Sequence, residues 1–214
     1  MTAVPLRGPV LGRTDQAGAA VPGRRFFDAV NRVWMVKVFP GEFYVTAQPD
    51  EVLVTILGSC VSTCIRDPRT GIGGMNHFML AQSGSQSWGG DPESTRYGNF
   101  AMEKLINELL KAGCRRESLE IKVFGGGNVT DTRNLIGTQN CAFVLDYLAS
   151  EGLPVAAQDL GGQSPRRIHY YPASGRVVRR MLGGAETSAV AREEIAYAGR
   201  LKGRRIGGEI ELFE

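Results

Sequence analysis

The chain has 214 residues (23.2 kDa), 25 basic against 22 acidic side chains and a net charge of +3. That size suits one domain with ragged ends, and the charge is too small to imply a nucleic-acid binder. No apolar run approaches the roughly 18 residues of a membrane span, and Pro, Gly and Arg interrupt the first 25 positions, so no leader core forms. Four cysteines at irregular spacing do not build a disulfide framework. A soluble cytoplasmic protein with reduced thiols is expected. Its 28 glycines, about twice the usual share of about 7%, cluster in doublets and one triplet, which predicts many short elements joined by tight turns.

Residues 1–30 lack periodicity and read as a disordered arm. A strand follows at 33–38, then a turn at Pro40-Gly41-Glu42. Val52–Leu57 is apolar and β-branched, the mark of a strand covered on both faces. Gly58-Ser59 breaks it, Val61–Arg66 resumes, Asp67-Pro68-Arg69-Thr70-Gly71 turns, and Ile72–Leu80 returns. Residues 82–96 form a polar loop that holds Trp88, a loop anchor or a partner contact. Ala101, Met102, Leu105, Ile106, Leu109 and Leu110 recur at helical spacing until Gly113.

A strand at 119–124 runs into Gly125-Gly126-Gly127, read as a tight turn because no Gly-Lys-Ser/Thr follows. A second helix covers 137–151, stopped by Gly152. A strand at 154–159 and a hairpin, 166–172 with 176–182, complete the body. The basic run Arg166, Arg167, Arg176, Arg179 and Arg180 reads as a solvated sheet face or a surface for an acidic protein. Residues 31–182 are taken as the domain and 183–214 as an extension whose Ala/Glu/Arg stretch suits an exposed helix. Strands outnumber helices and arrive mostly in hairpins. The expected class is α+β, a mixed hairpin-rich sheet with two main helices packed on it.

Cys60 and His77 carry the candidate chemistry. If Asp67 and Thr70 close the turn, pairing runs 66 with 71 and outward until Cys60 faces His77. An imidazole beside a thiol makes a nucleophile, and the Gly58-Ser59 break offers amides to a developing oxyanion. From spacing alone, a buried core cysteine and a structural histidine remain the more ordinary reading. Cys60 and Cys64, roughly 13 Å apart along a strand, cannot share a disulfide or a zinc ion, and no other Cys or His pair has ligand spacing. Cys64 and Cys141 fit core positions, Cys114 reads as partly exposed, and His169 as structural.

Thr55-Ile56-Leu57-Gly58-Ser59-Cys60-Val61, Asp67-Pro68 and Gly73-Gly74-Met75-Asn76-His77-Phe78-Met79-Leu80 closely resemble the CheD family of chemoreceptor glutamine deamidases. Phe124-Gly125-Gly126-Gly127, Ile136-Gly137-Thr138-Gln139-Asn140, Asp159-Leu160-Gly161-Gly162 and the Arg166–Arg180 hairpin follow in the family's order, so the resemblance spans Val33 to Met181. It implies a layered α/β sandwich and conversion of chosen receptor glutamines to glutamate through a cysteine thioester, with secondary methylesterase activity allowed by the same chemistry. The implied roles are Cys60 as nucleophile, His77 as general acid and base, and Thr55 as its orienting group, with Gly58, Ser59, Asn76 and Gly126 around the oxyanion and substrate groove. No cofactor and no metal are implied. The implied partners are the cytoplasmic helical region of chemoreceptors and a CheC-type phosphatase. A non-catalytic module binding either partner is the alternative.

Overall fold

The computed structural model describes residues 24–80, 92–129 and 136–201. Among the described residues, ten strands form two five-stranded mixed sheets. The first sheet runs in the order β1 (Arg25–Asp28), β2 (Val33–Lys37), β4 (Glu51–Leu57), β9 (Arg166–Tyr171) and β10 (Arg176–Met181). The second runs in the order β3 (Glu42–Thr46), β6 (Gly73–His77), β5 (Val61–Arg66), β7 (Glu120–Gly125) and β8 (Val155–Leu160). Only β2–β4 and β7–β8 pair in parallel; the rest are antiparallel. The expected α+β class with mixed, hairpin-rich strands stands, with the strands divided between two sheets.

Period-2 alternation sorts the side chains into two cores. Val61, Ile65, Phe78, Ile121 and Val123 turn outward from the second sheet, against α1 (Pro92–Lys111) and α2 (Ile136–Ser150). Their neighbours Cys60, Cys64, Met75 and Met79 turn the other way and meet Leu53, Leu57 and Ile168 of the first sheet. Both helices end as their glycines predict. Gly113 and Gly152 have φ of +99° and +64°. Cys114 N–H bonds Leu109 O at 3.1 Å and Leu153 N–H bonds Leu148 O at 2.8 Å, closing Schellman turns.

Several expectations are corrected. Within the stretch expected to be a disordered arm, Arg25–Asp28 forms β1, held where Arg25 Nε meets the buried Glu51 at 2.8 Å and its guanidinium lies over the Trp34 ring. β3 was missed although Phe43, Tyr44, Val45 and Thr46 are all strand formers. The expected 82–96 loop is helical from Pro92, a residue suited to a first helical position; Trp88 lies outside the described residues. Cys114 is buried. Arg166 is buried rather than displayed, bonded to Asp159 at 2.7 Å, and Arg179 shares that carboxylate. The 183–214 extension contributes α3 (Ala185–Leu201), with Val190, Glu194, Tyr197 and Leu201 buried along one stripe.

Candidate active site

The chain crosses from one sheet to the other at Gly58-Ser59-Cys60, between β4 and β5. Every carbonyl of that crossing is tied to the body. Gly58 O accepts from Gly127 N–H at 2.7 Å, Ser59 O from Asn140 Nδ2 at 2.7 Å and Cys60 O from Gly126 N–H at 2.8 Å. With its carbonyls anchored, the segment's amides are left to converge elsewhere, and they do. The N–H groups of Gly58, Ser59 and Cys60 all donate to one carboxylate, that of Glu194 on α3, at 3.0, 2.8 and 3.1 Å. Such a concavity of successive amides binds anions.

The glycine triplet is therefore the strap that shapes this segment, as a tight turn rather than a phosphate loop. Gly126 has φ of +65°, and a Cβ there would lie 2.0 Å from Cys141 Sγ. Gly58 needs its bareness for a different reason: a Cβ on it would sit 2.6 Å from Glu194 Oε2.

The β5–β6 register differs from expectation. Arg66 pairs with Gly73, not with residue 71, because Gly71 N–H bonds Asp67 O in a longer turn at φ of +71°. The shift is two residues, so faces are preserved. Continued through the Val61–Phe78 bridge, the ladder sets Met79 opposite Cys60 and Ser62 opposite His77. Cys60 and His77 are thus diagonal neighbours on the inward face, a spacing of roughly 7–8 Å that an imidazole can reach across.

Thr55 enters from the facing sheet. Its hydroxyl donates to Val38 O at 2.8 Å, which leaves Oγ1 to accept from His77 Nδ1–H at 2.7 Å. That relay fixes the proton on Nδ1 and the lone pair on Nε2. The buried Nε2 has no hydrogen-bond partner among the described residues. A buried ring nitrogen left unpaired is a costly arrangement that calls for a reason. Burial lowers the His77 pKa to about 4, against the opposing pull of Glu194. Burial also pushes the Cys60 thiol well up, and Glu194 pushes it further. The carboxylate therefore acts on both groups, and the resting pair is neutral thiol and neutral imidazole.

Two sequence expectations part here. Thr55, His77, Cys60, Ser59 and Gly58 gather around one point, with Gly126 behind the loop. Asn76 does not join them: it faces α1, accepting from Thr63 N–H at 2.8 Å and donating to Ala101 O at 3.3 Å. Strand alternation turns it away from His77. Sequence reasoning missed Glu194 and the role of Asn140. Asn140 had a signal, as a polar residue on the inward stripe of α2; Glu194 had none.

Asn140 grips both chain segments, since Leu80 N–H donates to its Oδ1 at 2.9 Å. Asn140→Ala leaves that amide and the Ser59 carbonyl unpaired, at a cost of about 2 kcal/mol. We expect lower stability in denaturant titration and a larger fractional loss of activity than of stability at the working temperature. Thr55→Val keeps the shape and removes the Nδ1 acceptor. We expect turnover to fall by about 10²-fold and Thr55→Ser to restore most of it, read by steady-state kinetics.

A thiol, an imidazole of fixed tautomer, and amides converging beside the thiol are the parts of a cysteine-dependent acyl-transfer centre. Comparison with known proteins gives the chain its family. The family model for CheD chemotactic sensory transduction matches residues 79–181. A "Probable chemoreceptor glutamine deamidase CheD" of Rhodopseudomonas palustris (strain BisA53) is 54% identical over 187 residues, 87% of this chain and 86% of that one. Relatives of the same printed name occur in Methylobacillus flagellatus, 48% identical over 88% of this chain and 94% of the relative, and in Halorhodospira halophila, 43% over 95% and 99%. Among solved structures, Neisseria meningitidis protein NMB0706 aligns with a TM-score of 0.34 at 9% identity over 57% of this chain and 52% of its own, too distant to carry an argument. The chain belongs to the CheD family.

Proposed function

We propose that this chain is a chemoreceptor glutamine deamidase that works through a Cys60 thioester. The observation that carries the reading is the convergence of three amides, one of them the Cys60 N–H, next to a histidine whose Nδ1 is held by Thr55 and whose Nε2 is left open. His77 Nε2 takes the thiol proton, and the thiolate adds to the glutamine carboxamide carbon. The oxyanion settles among the Gly58, Ser59 and Cys60 amides. His77 returns the proton to the departing nitrogen, ammonia leaves, and a thioester remains. Water, deprotonated by Nε2, then attacks; the thiolate departs and is reprotonated, leaving glutamate. The balance is glutamine plus water to glutamate plus ammonia.

Thr55 keeps the imidazole in the tautomer that makes Nε2 the base, the part an acidic residue plays in other triads. The same attack on a glutamyl methyl ester expels methanol, which gives methylesterase activity a route. The reading also carries a cytoplasmic location, beside the receptors' signalling regions, and a CheC-type phosphatase as a competing partner.

The test is incubation of the purified chain with cytoplasmic fragments of chemoreceptors. Peptide mass spectrometry should find glutamines that gain about 1 Da, the mark of amide hydrolysis. Glutamines left unchanged in every receptor fragment tested would overturn the reading.

A further inference from the structure

Glu194 reaches the amide concavity with both oxygens: Oε1 accepts from Gly58 and Cys60, and Oε2 from the Ser59 amide at 2.8 Å and the Ser59 hydroxyl at 2.7 Å. Four donors on one carboxylate satisfy a group that is otherwise costly to bury, and it is 6% exposed. Flanking it, Val190 lies one turn before, Tyr197 one turn after and Leu201 two turns after, all buried. Tyr197 Oη bonds Tyr97 Oη of α1 at 2.7 Å. The opposite face of α3 is turned to solvent, Ile195 with 63% of its surface.

Glutamate is the product of the proposed reaction, and its carboxylate here lies where the oxyanion must form. Gly58 supplies the bare backbone that lets a carboxyl group approach so closely. Neither feature is needed to hold a surface helix, which a stripe of apolar side chains would dock without burying a charge.

We propose that α3 is a built-in occupant of the concavity over Cys60, with the Glu194 side chain standing in the place of the substrate's. The inference rests on the proposed deamidase reading and adds to it a control. In the resting chain α3 blocks the nucleophile in the manner of bound product. A substrate must displace it, together with the contacts of Val190, Tyr197 and Leu201. Displacement also removes the carboxylate whose charge disfavours the Cys60 thiolate, so that access and activation arrive together.

The experiment measures the rate at which iodoacetamide alkylates Cys60 in the full-length chain, by mass spectrometry of the Cys60 peptide. Glu194→Ala is expected to raise that rate about tenfold or more, because both exposure and thiolate character increase. Val190→Asp, which sets a charge at a buried position of α3 and leaves Glu194 in place, is expected to do the same. Ile195→Ala, on the exposed face, should leave the rate as it was. Thermal unfolding of each variant shows that the body is intact. Unchanged alkylation in both Glu194→Ala and Val190→Asp, with the body folded, overturns the plug. The readout needs no receptor. If the released variants alkylate fast yet leave every receptor fragment unchanged, the deamidase reading fails while the occupied site stands; if they deamidate no faster than the parent, the control fails.

Discussion

Cys60→Ala is expected to abolish glutamine deamidation, by roughly 10⁴-fold or more, the scale on which covalent enzymes respond to loss of the nucleophile. The fold should survive. Cys60 is fully buried between the sheets, but the substitution removes one sulfur and costs about 1 kcal/mol of packing. The loop's backbone bonds to Gly126, Gly127 and Asn140 do not involve the side chain. Mass spectrometry of a receptor fragment, beside thermal unfolding of the enzyme, reads both halves. A folded Cys60→Ala chain that deamidates at the parent rate would remove the thioester from the mechanism.

His77→Asn should be nearly as severe in activity and distinctive in its pH behaviour. The Asn amide nitrogen lies close to the place of Nδ1 and can still donate to Thr55 Oγ1, but nothing replaces Nε2. A loss of about 10³-fold is expected, the middle of the range for general acid–base catalysis. In the folded chain burial holds the His77 pKa down to about 4, whereas the unfolded chain titrates near 6.5. Between those values the unfolded chain binds a proton that the folded chain refuses, so stability rises with pH across that window and is progressively lost as pH falls through it. The histidine accounts for about 3 kcal/mol of that change. Denaturant titrations from pH 4 to pH 7 should therefore show a shallower slope in His77→Asn than in the parent. Equal slopes would mean that His77 takes up its proton alike in the folded and unfolded chain, so that burial does not hold its pKa down.

Much of the scaffold was legible because its signals are local. The apolar β-branched run of β4, the Asp-Pro turn after β5 and the glycines that end α1 and α2 each act within a few residues. What escaped depended on partners far along the chain. β1 is a short Arg-Phe-Phe-Asp segment whose hold is an ion pair with Glu51 and a stacked Trp34. The β5–β6 register slipped by two because Gly71 lets the turn close one bond later than Thr70. That error was harmless to the Cys60–His77 pairing, since an even shift keeps both on the inward face. Asn76 was set in the groove by the resemblance, although strand alternation alone sends it toward α1. Thr55 could be placed only by resemblance, because it belongs to the opposite sheet. Glu194 was beyond reach: it lies in an Ala/Glu/Arg helix of ordinary surface composition, 134 residues after Cys60.

The account turns on a covalent acyl-enzyme at Cys60, and interception of that intermediate tests it most directly. Deamidation of a receptor fragment is run with increasing hydroxylamine, and the modified glutamine positions are read by peptide mass spectrometry. A thioester partitions between water and the added nucleophile, so hydroxamate should appear at the same positions as glutamate, in a proportion that rises with hydroxylamine and vanishes in Cys60→Ala. Conversion to glutamate alone at every hydroxylamine concentration, at an undiminished rate, would mean that water attacks the amide without Cys60 and would contradict the mechanism.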